Sequence, residues 1–257
     1  MDIWKLFSLD GKVALVTGGA GLVGSSISEA LAEARAVVII ASRDIKKCQA
    51  KAGELRKQGL EVRAEQLDIT DERSVNDLKD RIVSEWGRID ILVNNAVSRP
   101  MKRFDSPIED WESSMKVNST GVFLCTRVIL SQMLKQNQGN IINISSIYGM
   151  VGPDFRIYDG TDMDMPPDYA FHKGGLINFT RYLATRFAPH IRVNCISLGG
   201  LFADQPTKFV ESYNHRVPLG RMAKEDDLKG AVVFLASDAS AYVTGHNLMV
   251  DGGWTAW

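Results

Sequence analysis

Cysteine is scarce in this 257-residue chain. The three present, Cys48, Cys125 and Cys195, are odd in number and far apart, so neither a disulfide framework nor a zinc site can be built from them. Such scarcity points to a reducing compartment, the cytoplasm. A basic excess is missing too: 30 Lys+Arg face 31 Asp+Glu, for a net charge of -1. Nucleic-acid binders need a basic face and membrane-surface binders a polybasic segment, so neither kind of partner is expected. No apolar run reaches the roughly 18 residues of a membrane span. Met1–Lys12 lacks the basic-then-apolar order of a signal peptide. Linker-like shifts in composition, low-complexity tracts and internal repeats are also absent, which leaves one domain over residues 1–257.

What the chain does contain is a regular alternation. Short apolar runs at Lys12–Thr17, Ala36–Ala41, Glu61–Gln66, Asp90–Asn94, Asn140–Ser145, Ile191–Ile196 and Asn247–Val250 predict strands. They lack polar alternation, as strands covered on both faces do. Helical patterns fill the gaps at Val23–Ala34, Ile45–Gln58, Glu72–Trp86, Ile108–Met115, Ser119–Gln136, Tyr169–Ala188 and Lys224–Ala236. This order predicts the α/β class, with right-handed crossovers and a doubly wound parallel sheet. One stretch, Met150–Asp168, is long, turn-rich and without a period, and loops of that kind are usually functional or disordered.

The first strand runs directly into Gly19-Ala20-Gly21-Leu22-Val23-Gly24, a G-x-G-x-x-G turn with a helix after it. Its glycines suit a tight turn, close approach to a pyrophosphate and close helix–strand packing. Free N–H groups and the helix dipole would hold the phosphate charge. The end of the second strand reads the adenosine ribose. It offers Ser42 and Arg43, and a guanidinium with a hydroxyl suits the extra phosphate of NADP. NADP(H) is therefore the expected cofactor. NAD(H) stays possible if Asp44 reaches the ribose instead of capping the next helix.

Tyr169 and Lys173 lie four apart, on one helix face. Tyrosine ionises near pH 10, and bringing it to neutrality takes roughly 4 kcal/mol. One cation ~4 Å away in a partly solvated site supplies energy of that order. His172 falls on another face and reads as structural. His190, His215 and His246 have no ligand spacing, so no metal is expected.

Together, the glycine turn, Asp68, Asn94-Asn95-Ala96, Asn118, Ser145-Ser146, Tyr169-x-x-x-Lys173, Arg192-Val193-Asn194 and Asp251-Gly252-Gly253 resemble the short-chain dehydrogenase/reductase family from Leu9 to Gly253. The resemblance implies a single Rossmann-type domain that interconverts a secondary alcohol and a ketone by hydride transfer. By it Tyr169 is the general acid/base, Ser146 holds the reacting oxygen, Lys173 binds the nicotinamide ribose and lowers the Tyr169 pKa, and Asn118 holds a relay water. Gly18, Gly19, Gly21, Val23, Ser42, Arg43, Asp68, Ile69, Asn95, Ala96, Tyr169 and Lys173 would contact the cofactor. Ser146 is preferred to Ser145 because the family's serine is usually followed by x-x-Gly. The chain departs from the family at Val97 (usually Gly), Leu198 (usually Pro) and Ala203 (often Thr). It also departs in its T-G-x-x-G-x-x-G spacing, which is commoner in epimerase-like members. A nucleotide-sugar epimerase and a non-catalytic NADP sensor or scaffold are the alternatives, the latter countered by retention of both Tyr169 and Lys173.

The spacing from Ser146 to Tyr169 is wider than is usual in the family, the excess being an inserted active-site loop at 150–168. It holds Asp154, Asp159, Asp162, Asp164 and Asp168 against one basic residue, Arg156, with Tyr158 adding a hydroxyl. Carboxylates accept hydrogen bonds from hydroxyls, so a sugar, sugar derivative or polyol is the expected substrate, and a solvated acidic surface is the bland alternative. Arg99 is the candidate contact for a substrate carboxylate or phosphate. The loop, with Gln205-Pro206, Phe209 and Tyr213, resembles oxidoreductases of bacterial surface-sugar and flagellin-glycan pathways. Apolar residues on more than one face of Ser119–Gln136 and Tyr169–Ala188 suggest a partner subunit, and the expected assembly is a homotetramer. The Trp254–Trp257 tail is expected at a subunit contact.

Overall fold

A computed structural model describes residues 2–257. Its strands are β1 (Val13–Thr17), β2 (Val37–Ser42), β3 (Val62–Gln66), β4 (Ile91–Asn94), β5 (Gly139–Ser146), β6 (Ile191–Leu198) and β7 (Asn247–Val250). They form one sheet in the order β3-β2-β1-β4-β5-β6-β7, parallel throughout. Every strand expected from the sequence is present within about two residues at each end, and the class is the doubly wound α/β of Rossmann type.

Nine helices accompany the sheet among the described residues: α1 (Ile3–Phe7), α2 (Leu22–Glu33), α3 (Ile45–Lys57), α4 (Glu72–Trp86), α5 (Ile108–Met115), α6 (Val122–Lys135), α7 (Pro167–Phe187), α8 (Thr207–Arg216) and α9 (Asp226–Ala236). The pleat sends alternate residues to opposite faces. Val13 and Leu15 join the core under α4, α6 and α7, while Ala14 and Val16 join the core under α2, α3 and α9. Both faces are covered, which is why the strands read as continuous apolar runs. Inside this apolar frame runs a buried polar chain. Asn94 donates to Asn143 at 2.8 Å, and Asn143 donates to Thr180 on α7 at 2.8 Å, tying β4, β5 and α7 together.

Three features differ from the sequence expectation. The helix expected to begin at Ser119 is instead continuous with α5 through a π-helical turn, Lys116–Gly121. Helix α8 was unread because only Phe209 and Tyr213 of it are buried, too few to make a period. The segment 150–168 is not a free loop. A single 3-10 turn, Phe155–Tyr158, drives Ile157 and Tyr158 into a third apolar cluster with Tyr148, Phe209, Tyr213, Val217, Met222 and Trp254. Trp254 finds its cover within its own chain, stacked on Tyr213 at 4.6 Å, whereas Trp257 stays exposed. Trp254→Ala should therefore lower unfolding stability by about 3–5 kcal/mol, the usual cost of emptying a buried aromatic site, as read from urea denaturation.

Candidate active site

The site forms where the strand order reverses, between β1 and β4, the place at which open α/β sheets bind ligands. A hydrogen-bonded clamp holds the two strand ends. The Thr17 hydroxyl donates to the Val93 carbonyl (3.2 Å) and accepts from the Asn95 and Ala96 amides (both 3.1 Å). The Asn95 side chain donates to the carbonyls of Thr17 (3.0 Å) and Gly18 (3.1 Å). Asn95 thus braces the glycine turn with its amide, and Ala96 lies against Gly18, whose φ of +64° favours glycine.

Gly24 sits on the first turn of α2, where a Cβ would fall 2.2 Å from the Gly18 carbonyl oxygen. This glycine lets the helix start seat against the strand end. Helix α2 has no side-chain cap at Gly21, so the N–H groups of its first turn, Val23 included, have no side-chain cap partner. A Cβ on Gly21 would meet only one atom within 4 Å, at 3.3 Å. An uncapped helix N-terminus behind an open glycine edge fits a pyrophosphate. At Gly19 a Cβ would be crowded by Ser28 and the Val16 carbonyl, so the turn packs tightly there.

At the ribose end, Asp44 is the N-cap of α3, accepting from the Lys47 amide at 3.1 Å. The exposed Arg43 has no carboxylate within 4.0 Å among the described residues. The Ser42 hydroxyl donates to the Asp44 carbonyl and lies 3.0 Å from the Cys48 sulfur. Asp68 accepts from the Thr70 amide (2.9 Å) and hydroxyl (2.8 Å). Burial pushes its carboxyl up, but those hydrogen bonds, with Arg43 and Lys116, hold it below the usual carboxylate range. Ile69 is buried beneath the π-turn, where a Cβ on Gly121 would come within 2.9 Å of it.

The two serines at the end of β5 separate clearly. Ser145 donates to the Lys173 carbonyl (2.9 Å) and so joins β5 to α7. Ser146 accepts from the Tyr148 amide at 3.2 Å and hydrogen-bonds with the Tyr169 hydroxyl, so its hydroxyl faces the reacting position rather than α7. Lys173 is buried and donates to the Ile144 carbonyl at 2.6 Å, with its nitrogen 5.6 Å from the Tyr169 ring centre. Burial alone would raise the Tyr169 pKa, but the Lys173 and Arg99 cations and hydrogen bonding with Ser146 and Arg99 bring it below its ordinary value. Lys173 is lowered, first by burial and then by Arg99, with Tyr169 opposing. His172 packs edge-on to the Tyr169 ring at 5.3 Å, and burial, with Lys173 and Arg99, lowers it to about 3. It stays neutral, consistent with the structural role read for it.

The Asn118 side chain lies in the π-turn and is largely occupied. It donates to the Ser98 carbonyl (2.7 Å) and Ser114 hydroxyl (2.9 Å), and accepts from the Ser98 amide (2.8 Å). Ser114 in turn donates to the buried Asp168, next to Tyr169. Ser114 and Asn118 are four apart on one continuous helix, but nothing in the sequence pointed to Asp168, which reaches them from α7 across 54 residues. The acidic loop also differs from expectation. Asp154 is bound by Arg156 and Arg216, and Asp168 faces inward, so these two carboxylates are engaged within the protein. The loop also sends the Tyr158 hydroxyl inward, 2.9 Å from that of Tyr148. A cavity of about 470 Å³ opens beside the ends of β6 and β7, but Ser146, Tyr169 and Lys173 do not line it.

Comparison with known proteins agrees with this geometry. A family model described as enoyl-(acyl carrier protein) reductase matches residues 19–255. The 3-oxoacyl-(acyl-carrier-protein) reductase of Aquifex aeolicus is 35% identical over 95% of this chain and 98% of that protein. D-threitol dehydrogenase of Mycolicibacterium smegmatis is 34% identical over 97% of this chain and 95% of that protein. The crystal structure of a gluconate 5-dehydrogenase from Burkholderia cenocepacia, in complex with NADP and tartrate, has a TM-score of 0.90 at 30% identity over 100% of both chains. The chain belongs to the short-chain dehydrogenase/reductase family. It is an NAD(P)-dependent oxidoreductase of the alcohol dehydrogenase/carbonyl reductase kind, acting on a small molecule.

The two serines give a direct test. Ser146→Ala should lower kcat by at least ~10² with the fold intact, whereas Ser145→Ala should act mainly on thermal stability. Steady-state kinetics beside melting curves would separate the two.

Proposed function

We propose that the protein is an NADP(H)-preferring dehydrogenase/reductase that interconverts a secondary alcohol and a ketone on a sugar, sugar derivative or polyol. The observation that carries the chemistry is the half-buried Tyr169, held at a lowered pKa by two cations and by a hydrogen bond with Ser146. When bound, the nicotinamide supplies the hydride donor or acceptor. Ser146 donates to the reacting oxygen and polarises it. Tyr169 gives that oxygen a proton in reduction and removes one in oxidation. Lys173, fixed on the Ile144 carbonyl, favours the phenolate and would hold the nicotinamide ribose. Asn118 has its side chain committed to Ser98 and Ser114, so the relay water expected of it would lie on a remaining lone pair or on main-chain carbonyls of the π-turn. Gly18, Gly19, Gly21 and the start of α2 would hold the pyrophosphate, with Asp68, Ile69, Asn95 and Ala96 on the adenosine side.

The preference for NADP(H) is supported by the division of labour at β2. Asp44 is spent on a helix cap, and Arg43 is exposed and unpaired among the described residues. The substrate class is supported by the Tyr148–Tyr158 hydroxyl pair, by Arg99, and by relatives that include a D-threitol dehydrogenase and a gluconate 5-dehydrogenase. Exposed Phe123, Phe171 and Tyr182 on α6 and α7 support a homotetramer with these helices at a subunit contact. The buried free thiols suit the cytoplasm.

Arg43→Ala should weaken NADPH binding by roughly 1.5–3 kcal/mol, the worth of a charge-assisted hydrogen bond, and leave NADH nearly unchanged. Tighter NADH than NADPH binding by the wild type, in a fluorescence titration, would overturn the preference. On substrates, kcat/KM across alditols, aldonates, ketoses and long-chain ketones should favour a polyhydroxylated compound. A clear preference for long-chain apolar ketones would remove that reading.

A further inference from the structure

Arg99 stands on the loop that carries the chain from β4 into α5. Its guanidinium donates to the Tyr169 hydroxyl at 3.3 Å and lies 4.6 Å from the centre of the Tyr169 ring. The contact is no accident of a mobile surface chain, because the loop is fixed on both sides. The preceding Ser98 is held through both its amide and its carbonyl by Asn118, and Lys102 donates to the Arg99 carbonyl at 3.0 Å. Yet the side chain is exposed, and no carboxylate lies within 4.0 Å of it among the described residues. The nearby acidic segment supplies no partner: Asp154 is paired with Arg156 and Arg216, Asp168 is turned into the Ser114 hydroxyl, and neither Asp159, Asp162 nor Asp164 comes within 4.0 Å of the guanidinium. A guanidinium has five donors in a planar fork. Only one of them is used here, on the atom that exchanges the reacting proton.

We propose that Arg99 is a catalytic residue that bonds the Tyr169 oxygen in the free enzyme and receives a carboxylate that the substrate carries close to its reacting carbon. The substrate is then a sugar-derived hydroxy acid or its keto counterpart, which deepens the sugar-or-polyol reading above and rests on it. A carboxylate fits better than a phosphate. The single guanidinium on the Tyr169 oxygen matches one charge, and Lys102 is turned back onto the loop carbonyl instead of adding a second cation there.

The groups around Tyr169 are Lys173 and His172 on its own helix, Ser146 and Tyr148 at the end of β5, Tyr158 from the 3-10 turn, and Arg99. Of these, Lys173 and Arg99 are the cations that favour the phenolate. Alcohol oxidation needs the phenolate, so its rate rises with pH through the Tyr169 pKa. Removing Arg99 raises that pKa and moves the limb to higher pH. A bound carboxylate, by cancelling the Arg99 charge, has the same sign of effect.

The test uses the full chain with NADP+ and pairs matched in length, D-gluconate with D-glucitol and L-threonate with L-threitol, plus D-glucitol 6-phosphate. Wild type should favour the aldonates in kcat/KM by about 10- to 100-fold, the equivalent of a charge-assisted hydrogen bond, and Arg99→Ala should bring the ratio to within a few-fold of one. With wild type and an aldonate, the kcat limb should lie at higher pH than the kcat/KM limb, since these report the complex and the free enzyme respectively. With an alditol, or with Arg99→Ala, the two limbs should coincide. Independently of turnover, the tyrosinate absorbance assigned by its loss in Tyr169→Phe should titrate at higher pH in Arg99→Ala and Arg99→Gln. Alditol or sugar-phosphate preference in the wild type, or an aldonate ratio unchanged by Arg99→Ala, overturns the carboxylate role while leaving the polyol reading standing. Turnover of apolar ketones alone removes both. An unmoved tyrosinate titration overturns the contact with Tyr169.

Discussion

The site depends on the clamp that Thr17 and Asn95 form across the ends of β1 and β4. Neighbouring strands whose connections leave in opposite directions open a crevice, and the backbone groups at its mouth lose their regular ladder partners. Thr17 and Asn95 replace those partners with side-chain hydrogen bonds. Because both act on the main chain of the glycine turn, the uncapped start of α2 is fixed relative to Ala96, and with it the strand end from which Ser98 and Arg99 leave. The glycine turn and the loop that carries Arg99 are thus referenced to one small set of hydrogen bonds. A second polar chain, Asn94–Asn143–Thr180, carries the same reference to β5 and α7, the elements that hold Ser146, Tyr169 and Lys173. Buried amides arranged this way specify register where apolar packing alone would tolerate slippage.

Much of this was legible in the residues. The strands were readable because both faces of the sheet are covered, so Val13 to Val16 are all apolar although they point in alternate directions. Tyr169 and Lys173 were readable because helical spacing is local. Other motif residues hold structure together with their side chains. Arg192 and Asn194 of β6 are spent on carbonyls of residues 235–243, and Asp251 accepts from the Gly253 amide and from Thr255 to close the turn after β7. What stayed hidden was contact between elements distant in sequence. No spacing places Ser114 against Asp168, or Ile157 against Phe209. The acidic count of 150–168 also misled in part: it gave the chemistry of the side chains but not their direction, and Asp154 and Asp168 are turned to partners of their own.

The electrostatics at Tyr169 are one-sided. Two cations lie near one phenol, and the only imidazole in contact with it is kept neutral by burial. Lys173 would ordinarily be costly to bury, and its short bond to the Ile144 carbonyl offsets part of that cost. The phenolate it favours supplies the compensating charge, so tyrosine and lysine stabilise each other's ionised forms. The neutral His172 ring contributes shape at the edge of Tyr169 without adding a third positive charge.

The π-turn at Lys116–Gly121 carries a lesson for anyone engineering this fold for robustness. One extra residue in a helix turns everything beyond it by about 100°. Here that rotation lets α5 present Ser114 and the turn present Asn118 to the site while α6 keeps Val122, Cys125 and Ile129 in the core. Regularising the helix by deleting a residue would look like an improvement to any scheme that rewards uniform hydrogen bonding. It would leave a well-folded scaffold whose two halves are out of phase, with Ser98 unbraced and the Arg99 loop without its anchor. In this protein the irregular turn is an alignment device, and heat tolerance gained by smoothing it would come at the expense of turnover.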